Sequence, residues 1–110
     1  MIRDDKVYIE DIIQSIQIIQ EHLEGKTEQD FEGSLLLQDA VYRRFEIIGE
    51  AASKVSEQFK KEHPAVEWRL MKLMRNKLIH EYFGISPASI FATVQEDLPQ
   101  LLSKLNPILY

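Results

Sequence analysis

Ile9, Ile12, Ile16, Ile19 and Leu23 follow one another at three- and four-residue spacing. That period lines one face of an α-helix and no face of a strand. The same period returns in Val41, Phe45, Ile48, Ala52 and Val55. No segment alternates with period two, so strands are not expected. The chain is therefore read as all-α, with four main helices joined by short loops in an up-and-down bundle.

Local punctuation sets the boundaries. The first helix covers roughly 4–24 and stops at Gly25. Thr27-Glu28-Gln29-Asp30 resembles a capping box for a short helix that ends at Gly33. A long helix follows over roughly 35–55, and Ser56 caps a short one that stops before Pro64. Another helix runs from about Glu67 to Tyr82 and stops at Gly84. Ser86-Pro87 opens the last, which reaches about Leu105 and bends at Pro99. Gly49 lies inside the long helix at a propensity cost of about 1 kcal/mol relative to Ala. The expected reason is close approach of another helix.

At 110 residues the chain is expected to form one domain over 1–110. It has no cysteine, which removes disulfide and thiolate chemistry and fits a reducing, cytoplasmic setting. The charged start, Met1-Ile2-Arg3-Asp4-Asp5, lacks the apolar run of a signal peptide, and no stretch is apolar enough to span a membrane.

Charge is distributed unevenly. The whole chain carries -5, yet Trp68 to His80 holds four cations (Arg69, Lys72, Arg75, Lys77) and no acid. The remainder therefore sums to -5 - 4 = -9. An acidic total argues against sequence-blind adhesion to nucleic acid. A local reversal of sign marks a place where an anion could sit.

The same segment carries the candidate chemistry: Arg75, Asn76, His80 and Tyr82. On a wheel of about 100° per residue with Arg75 at zero, Leu70, Met71, Met74 and Leu78 fall between about 220° and 320° and form the expected core stripe. Arg75, Asn76, His80 and Tyr82 lie on the other side, with Arg69 and Lys72. Trp68, Ile79 and Phe83 share that side, so a second surface is expected to cover them, either neighbouring helices or another chain. Arg75 and His80 are about 140° apart. Either the arginine reaches around the helix or a two-fold dimer brings both copies into one cleft.

An arginine binds phosphate as a planar fork, and a histidine passes protons near neutral pH. Together they can cleave RNA without a metal: the 2′-OH attacks the adjacent phosphate, His80 takes or gives a proton, and Arg75 stabilises the charge on the phosphoryl oxygens. Asn76 can orient the imidazole or donate to a phosphate. Arg69, Lys72 and Lys77 are candidate contacts to the RNA backbone. Glu46 and Glu50, near each other on the long helix, either hold Arg75 or His80 in place or form a solvated acidic face. No metal site is expected, since His22 and His63 are distant in sequence and no carboxylate cluster adjoins His80. No cofactor is expected either.

Arg75-Asn76-x3-His80-x-Tyr82 resembles the Arg-x4-His-x-Tyr motif of HepT-like HEPN-domain proteins, the toxin halves of toxin–antitoxin pairs. Arg3-Asp4-Asp5, Gln38-Asp39-Ala40-Val41, Glu46-Ile47-Ile48-Gly49-Glu50-Ala51-Ala52, His63-Pro64 with Trp68, and Asp97-Leu98-Pro99 extend the resemblance over nearly the whole chain. It implies a helical-bundle homodimer and a metal-independent endoribonuclease with Arg75 and His80 as active residues. It also implies a nucleotidyltransferase antitoxin that attaches AMP to Tyr82. The alternative is a non-catalytic helical module that presents an anionic ligand or substrate to such a nucleotidyltransferase.

Overall fold

The isoleucine stripe organises the molecule. In a computed structural model that describes residues 4–80 and 86–109, with the side chains of 76–80 outside the described set, α1 spans Asp5–Leu23. Ile9, Ile12, Ile16 and Ile19 are fully buried, and Leu23 and Ile13 nearly so. Each such side chain contributes about 1.5–3 kcal/mol by leaving water. Asp4 caps the helix by accepting from the Lys6 N–H at 2.8 Å. Gly25, at φ 72°, turns the chain in the left-handed region that suits glycine.

Among the described residues five more helices follow: α2 (Glu28–Glu32), α3 (Leu35–Lys54), α4 (Glu57–Glu62), α5 (Trp68–His80) and α6 (Pro87–Leu109). Among the described residues every regular element is a helix, as the periodicity required. The architecture is the expected all-α bundle, with α1, α3, α5 and α6 as its long members. α6 passes the expected stop at Leu105 and runs to Leu109, with both Pro99 and Pro107 inside it. The fully buried Leu105 anchors that end to the core, which offsets the cost of the prolines.

α3 lies centrally, packed on α1 along one side and on α5 along another. Val41, Phe45, Ile48, Ala52 and Val55 are all buried, as their spacing predicted. α6 closes the bundle against α1 through Val94, Leu98, Leu101 and Leu105. The short helix α2 is pinned from three directions. Its capping box forms, with Asp30 N–H to Thr27 Oγ1 at 3.1 Å and Thr27 N–H to Asp30 Oδ2 at 2.9 Å. The Thr27 backbone and hydroxyl donors hold the Asp30 carboxyl below its ordinary value of 3.8. Phe31 is buried between Tyr42 of α3 and Phe91 of α6, with centroids 6.3 and 6.0 Å away. The Gln38 amide then donates to the carbonyls of Phe31 and Glu32, satisfying the end of α2.

α4 is placed from both ends. Ser56 caps it by accepting from the Phe59 N–H, and Asp5 of α1 takes the Ser56 N–H at 2.8 Å and its hydroxyl at 2.7 Å. The other end leads through His63-Pro64 into the start of α5, where the candidate chemistry begins.

Candidate active site on helix α5

The inward face of α5 is broader than the one a hydrophobic wheel selects. Met71 is fully buried, as expected, but Leu70 and Met74 are only half-buried and Leu73 is 52% exposed. Trp68, expected on the opposite side and in need of a second surface, is 9% exposed within its own chain. Its indole N–H donates to the His63 carbonyl at 3.0 Å. Its ring meets Phe59 edge-on with centroids 6.3 Å apart, and Phe59 lies 4.6 Å from the His63 ring. The buried side, Trp68 and Met71 with the half-buried Leu70, Met74 and Arg75, therefore takes in the expected stripe and reaches past it to Trp68 and Arg75. A tryptophan whose polar atom finds a carbonyl can enter a core as fully as a leucine.

The second reason for the breadth is Gly49. This residue is buried in α3, and a Cβ built on it would overlap the Arg75 Cβ and lie 3.0 Å from the Arg75 Cγ and Cδ. The expected close approach is therefore real, and its partner is the stem of Arg75. This corrects the placement of Arg75 on a face turned away from the protomer's own core. The aliphatic stem is half-buried against the α3 backbone, and an arginine tolerates this because its charged head sits beyond three methylenes.

Arg69 and Lys72 are exposed on the same helix, so their charges remain available to a solvent-borne anion. Glu46 and Glu50 flank Gly49 on α3. Glu46 Oε2 is 3.3 Å from Arg43 Nη1, and Glu50 Oε1 is 3.4 Å from Lys54 Nζ, both pairs within the helix and partly in water. These are the contacts of a solvated charged face, each worth a fraction of a kcal/mol. Asn76, Lys77 and His80 belong to α5, while their side chains and all of Tyr82, with Ile79 and Phe83, lie outside the described set. Among the described residues no group of three or more His, Asp or Glu side chains could hold a metal ion.

Beside α5 runs an apolar cleft of about 210 Å³, floored by Phe45 and walled by Leu70, Leu73 and Met74 on one side and Ser89, Ile90 and Thr93 of α6 on the other. The wheel did not single out Leu73, because periodicity alone cannot tell which arc of an apolar-rich helix faces inward.

A bundle in which a glycine on one helix admits an arginine stem from a basic neighbour can be compared with known proteins. The ribonuclease HepT-like family model matches residues 12–108. The chain belongs to the HepT-like family. It is 42% identical to the "Probable ribonuclease HepT" of Thermococcus cleftensis over 98% of both chains. It is 36% identical to a "Putative RNase" of Caldanaerobacter subterraneus subsp. tengcongensis over 93% of this chain and 91% of that one. A "Gamma-glutamylcyclotransferase and putative RNase" of Methanocaldococcus jannaschii is 38% identical over 99% of this chain, which covers 49% of that longer protein. No solved structure matches. The HepT-like resemblance seen in the motif thus extends to the whole chain, with α1 to α6 inside it almost completely.

Proposed function

We propose that this HepT-like chain is the toxin of a toxin–antitoxin pair and cleaves RNA without a metal through Arg75 and His80. The observation that carries the reading is the seat of Arg75. A fixed cation emerges from the α3–α5 contact on a helix that also exposes Arg69 and Lys72, in a chain whose relatives are named as ribonucleases.

In the proposed reaction the ribose 2′-oxygen attacks the adjacent phosphorus and the bond to the 5′-oxygen breaks. The His80 imidazole takes the 2′-OH proton and, once protonated, gives a proton to the departing 5′-oxygen. The Arg75 guanidinium pairs with the non-bridging oxygens as their charge grows. The products are a 2′,3′-cyclic phosphate and a free 5′-hydroxyl, so DNA, without the 2′-OH, is not a substrate. Arg69, Lys72 and Lys77 hold the backbone on either side, and Asn76 orients the imidazole or a phosphate.

The chain acts as a homodimer in this reading. With Trp68 buried, the described apolar surface of α5 available to a second copy is Leu73 with the half-buried Leu70 and Met74. A two-fold axis near α5 would place two copies of Arg75 and His80 in one cleft. The antitoxin is a nucleotidyltransferase that adds AMP to Tyr82. The added phosphate would compete with RNA for the Arg75 cation, and the nucleoside would fill the cleft.

Two experiments test this. Purified protein is incubated with cellular RNA in EDTA beside Arg75→Ala and His80→Ala. Cleavage by the unaltered chain alone is expected, and equal cleavage by all three removes the pair from the mechanism. Mass spectrometry after incubation with ATP and the nucleotidyltransferase should find one adenylate on Tyr82 and no RNA cleavage. An adenylylated protein that still cuts RNA would sink the regulatory step.

A further inference from the structure

An interior glycine weakens a helix unless something needs the space it leaves. At Gly49 the three atoms nearest that space all belong to one side chain. The Arg75 Cβ, Cγ and Cδ all lie where a residue-49 side chain would begin, the latter two at 3.0 Å. The neighbouring turns are fixed: Phe45, Ile48 and Ala52 on α3 and Met71 on α5 are each no more than 1% exposed. Close-packed neighbours transmit a displacement rather than absorb it. A methyl at position 49 therefore cannot be accommodated by the far end of a flexible chain. It pushes the root of Arg75 away from α3 and redirects the guanidinium at its tip.

We infer that Gly49 is a positioning residue for the Arg75 cation: the missing side chain is the slot that aims the guanidinium at the scissile phosphate. This rests on the proposed role of Arg75 and adds to it a residue that touches neither RNA nor proton. The Glu46 and Glu50 carboxylates beside it keep to their own helix through Arg43 and Lys54, so among the described residues the aim of Arg75 is set by shape at Gly49 and not by a carboxylate clamp.

The test is a cycle of kcat values for cleavage of a short fluorescent single-stranded RNA by the full chain, Gly49→Ala, Arg75→Gly and the double variant. Helical content is followed by circular dichroism at the assay temperature. Gly49→Ala should fold and lose about 100-fold in kcat, the scale expected when a catalytic group is displaced by about 1 Å. Arg75→Gly should lose about 1000-fold. The double variant should match Arg75→Gly alone, because with no side chain at 75 the nearest clash is gone and no cation remains to misplace. Losses that multiply in the double variant overturn the inference, since Gly49 would then act on His80 or on the fold. A Gly49→Ala chain with unchanged kcat, or one that cannot fold while the double variant can, overturns it too. Should Arg75→Gly cleave RNA like the unaltered chain, the role of Arg75 itself fails, and with it the reason to position it.

Discussion

Helices α1 and α5 are built on opposite plans. α1 buries one continuous stripe of branched aliphatics, joined by Ser15, so sequence period and burial coincide along most of its length. α5 has apolar residues on most of its circumference, buries a tryptophan and the stem of an arginine, and leaves Leu73 in solvent. The first helix is specified by its own pattern. The second is specified by what it leans on: the His63 carbonyl at one end and the gap at Gly49 further along. The contrast separates a stabilising element from a working one, since an element that only filled the core would have no reason to bring a permanent cation to the helix contact.

That contrast can be broken by substitutions that ought to affect one property and spare the other. His80→Ala on α5 is expected to cost about 1000-fold in RNA cleavage with the melting temperature almost unchanged. A melt lowered as far as a core deletion lowers it would make α5 structural after all. Ile16→Ala on α1 is expected to do the reverse. It removes about 3 kcal/mol of stability in a urea titration, as deletion of a fully buried aliphatic does, while cleavage per folded molecule stays constant. Leu73→Glu should change monomer stability by only about 0.5 kcal/mol, because half of that side chain is already wet. It should nonetheless lower the mass found by light scattering at micromolar concentration from two chains to one, and an unchanged dimer mass would move the interface elsewhere.

The smallest effect lies on α2. The Asp30 carboxyl is held below 3.8 by the Thr27 donors, so its contribution to the capping box is present in full above that pH. It is lost as pH falls through the lowered folded-state value. Asp30→Asn should therefore melt slightly earlier than the unaltered chain at neutral pH. The gap should close in strong acid, and one that widened there would reverse the sign of the argument.

Much of this was legible in the chain. The stripes of α1 and α3, the capping box at Thr27, the Ser56 cap and the turn at Gly25 rest on contacts within a few residues, which a local pattern records. Gly49 was legible in kind, as a close approach, but not in partner. The spacing left open whether the protomer's own helices or another chain would cover Trp68, and its own chain does, with the indole satisfied by a backbone carbonyl that a wheel cannot see. Four of the five segments that extend the resemblance turn out to do tertiary work: Asp5 ties α1 to Ser56, Gln38 closes α2, Gly49 admits Arg75, and His63 receives Trp68. The proposed chemistry at His80 and Tyr82 rests on the motif and on membership of the HepT-like family.

By itself the sequence determined that the chain is helical, where most helices begin, and that one basic segment stands apart from an acidic whole. These follow from hydrogen bonds, apolar periods and charges that neighbours in the chain share. The tertiary structure alone decided which arc of α5 turns inward. That arc depends on two surfaces meeting, with Trp68 donating to the His63 carbonyl and an arginine stem lying in the space left by a glycine 26 residues earlier in the chain (75 - 49 = 26).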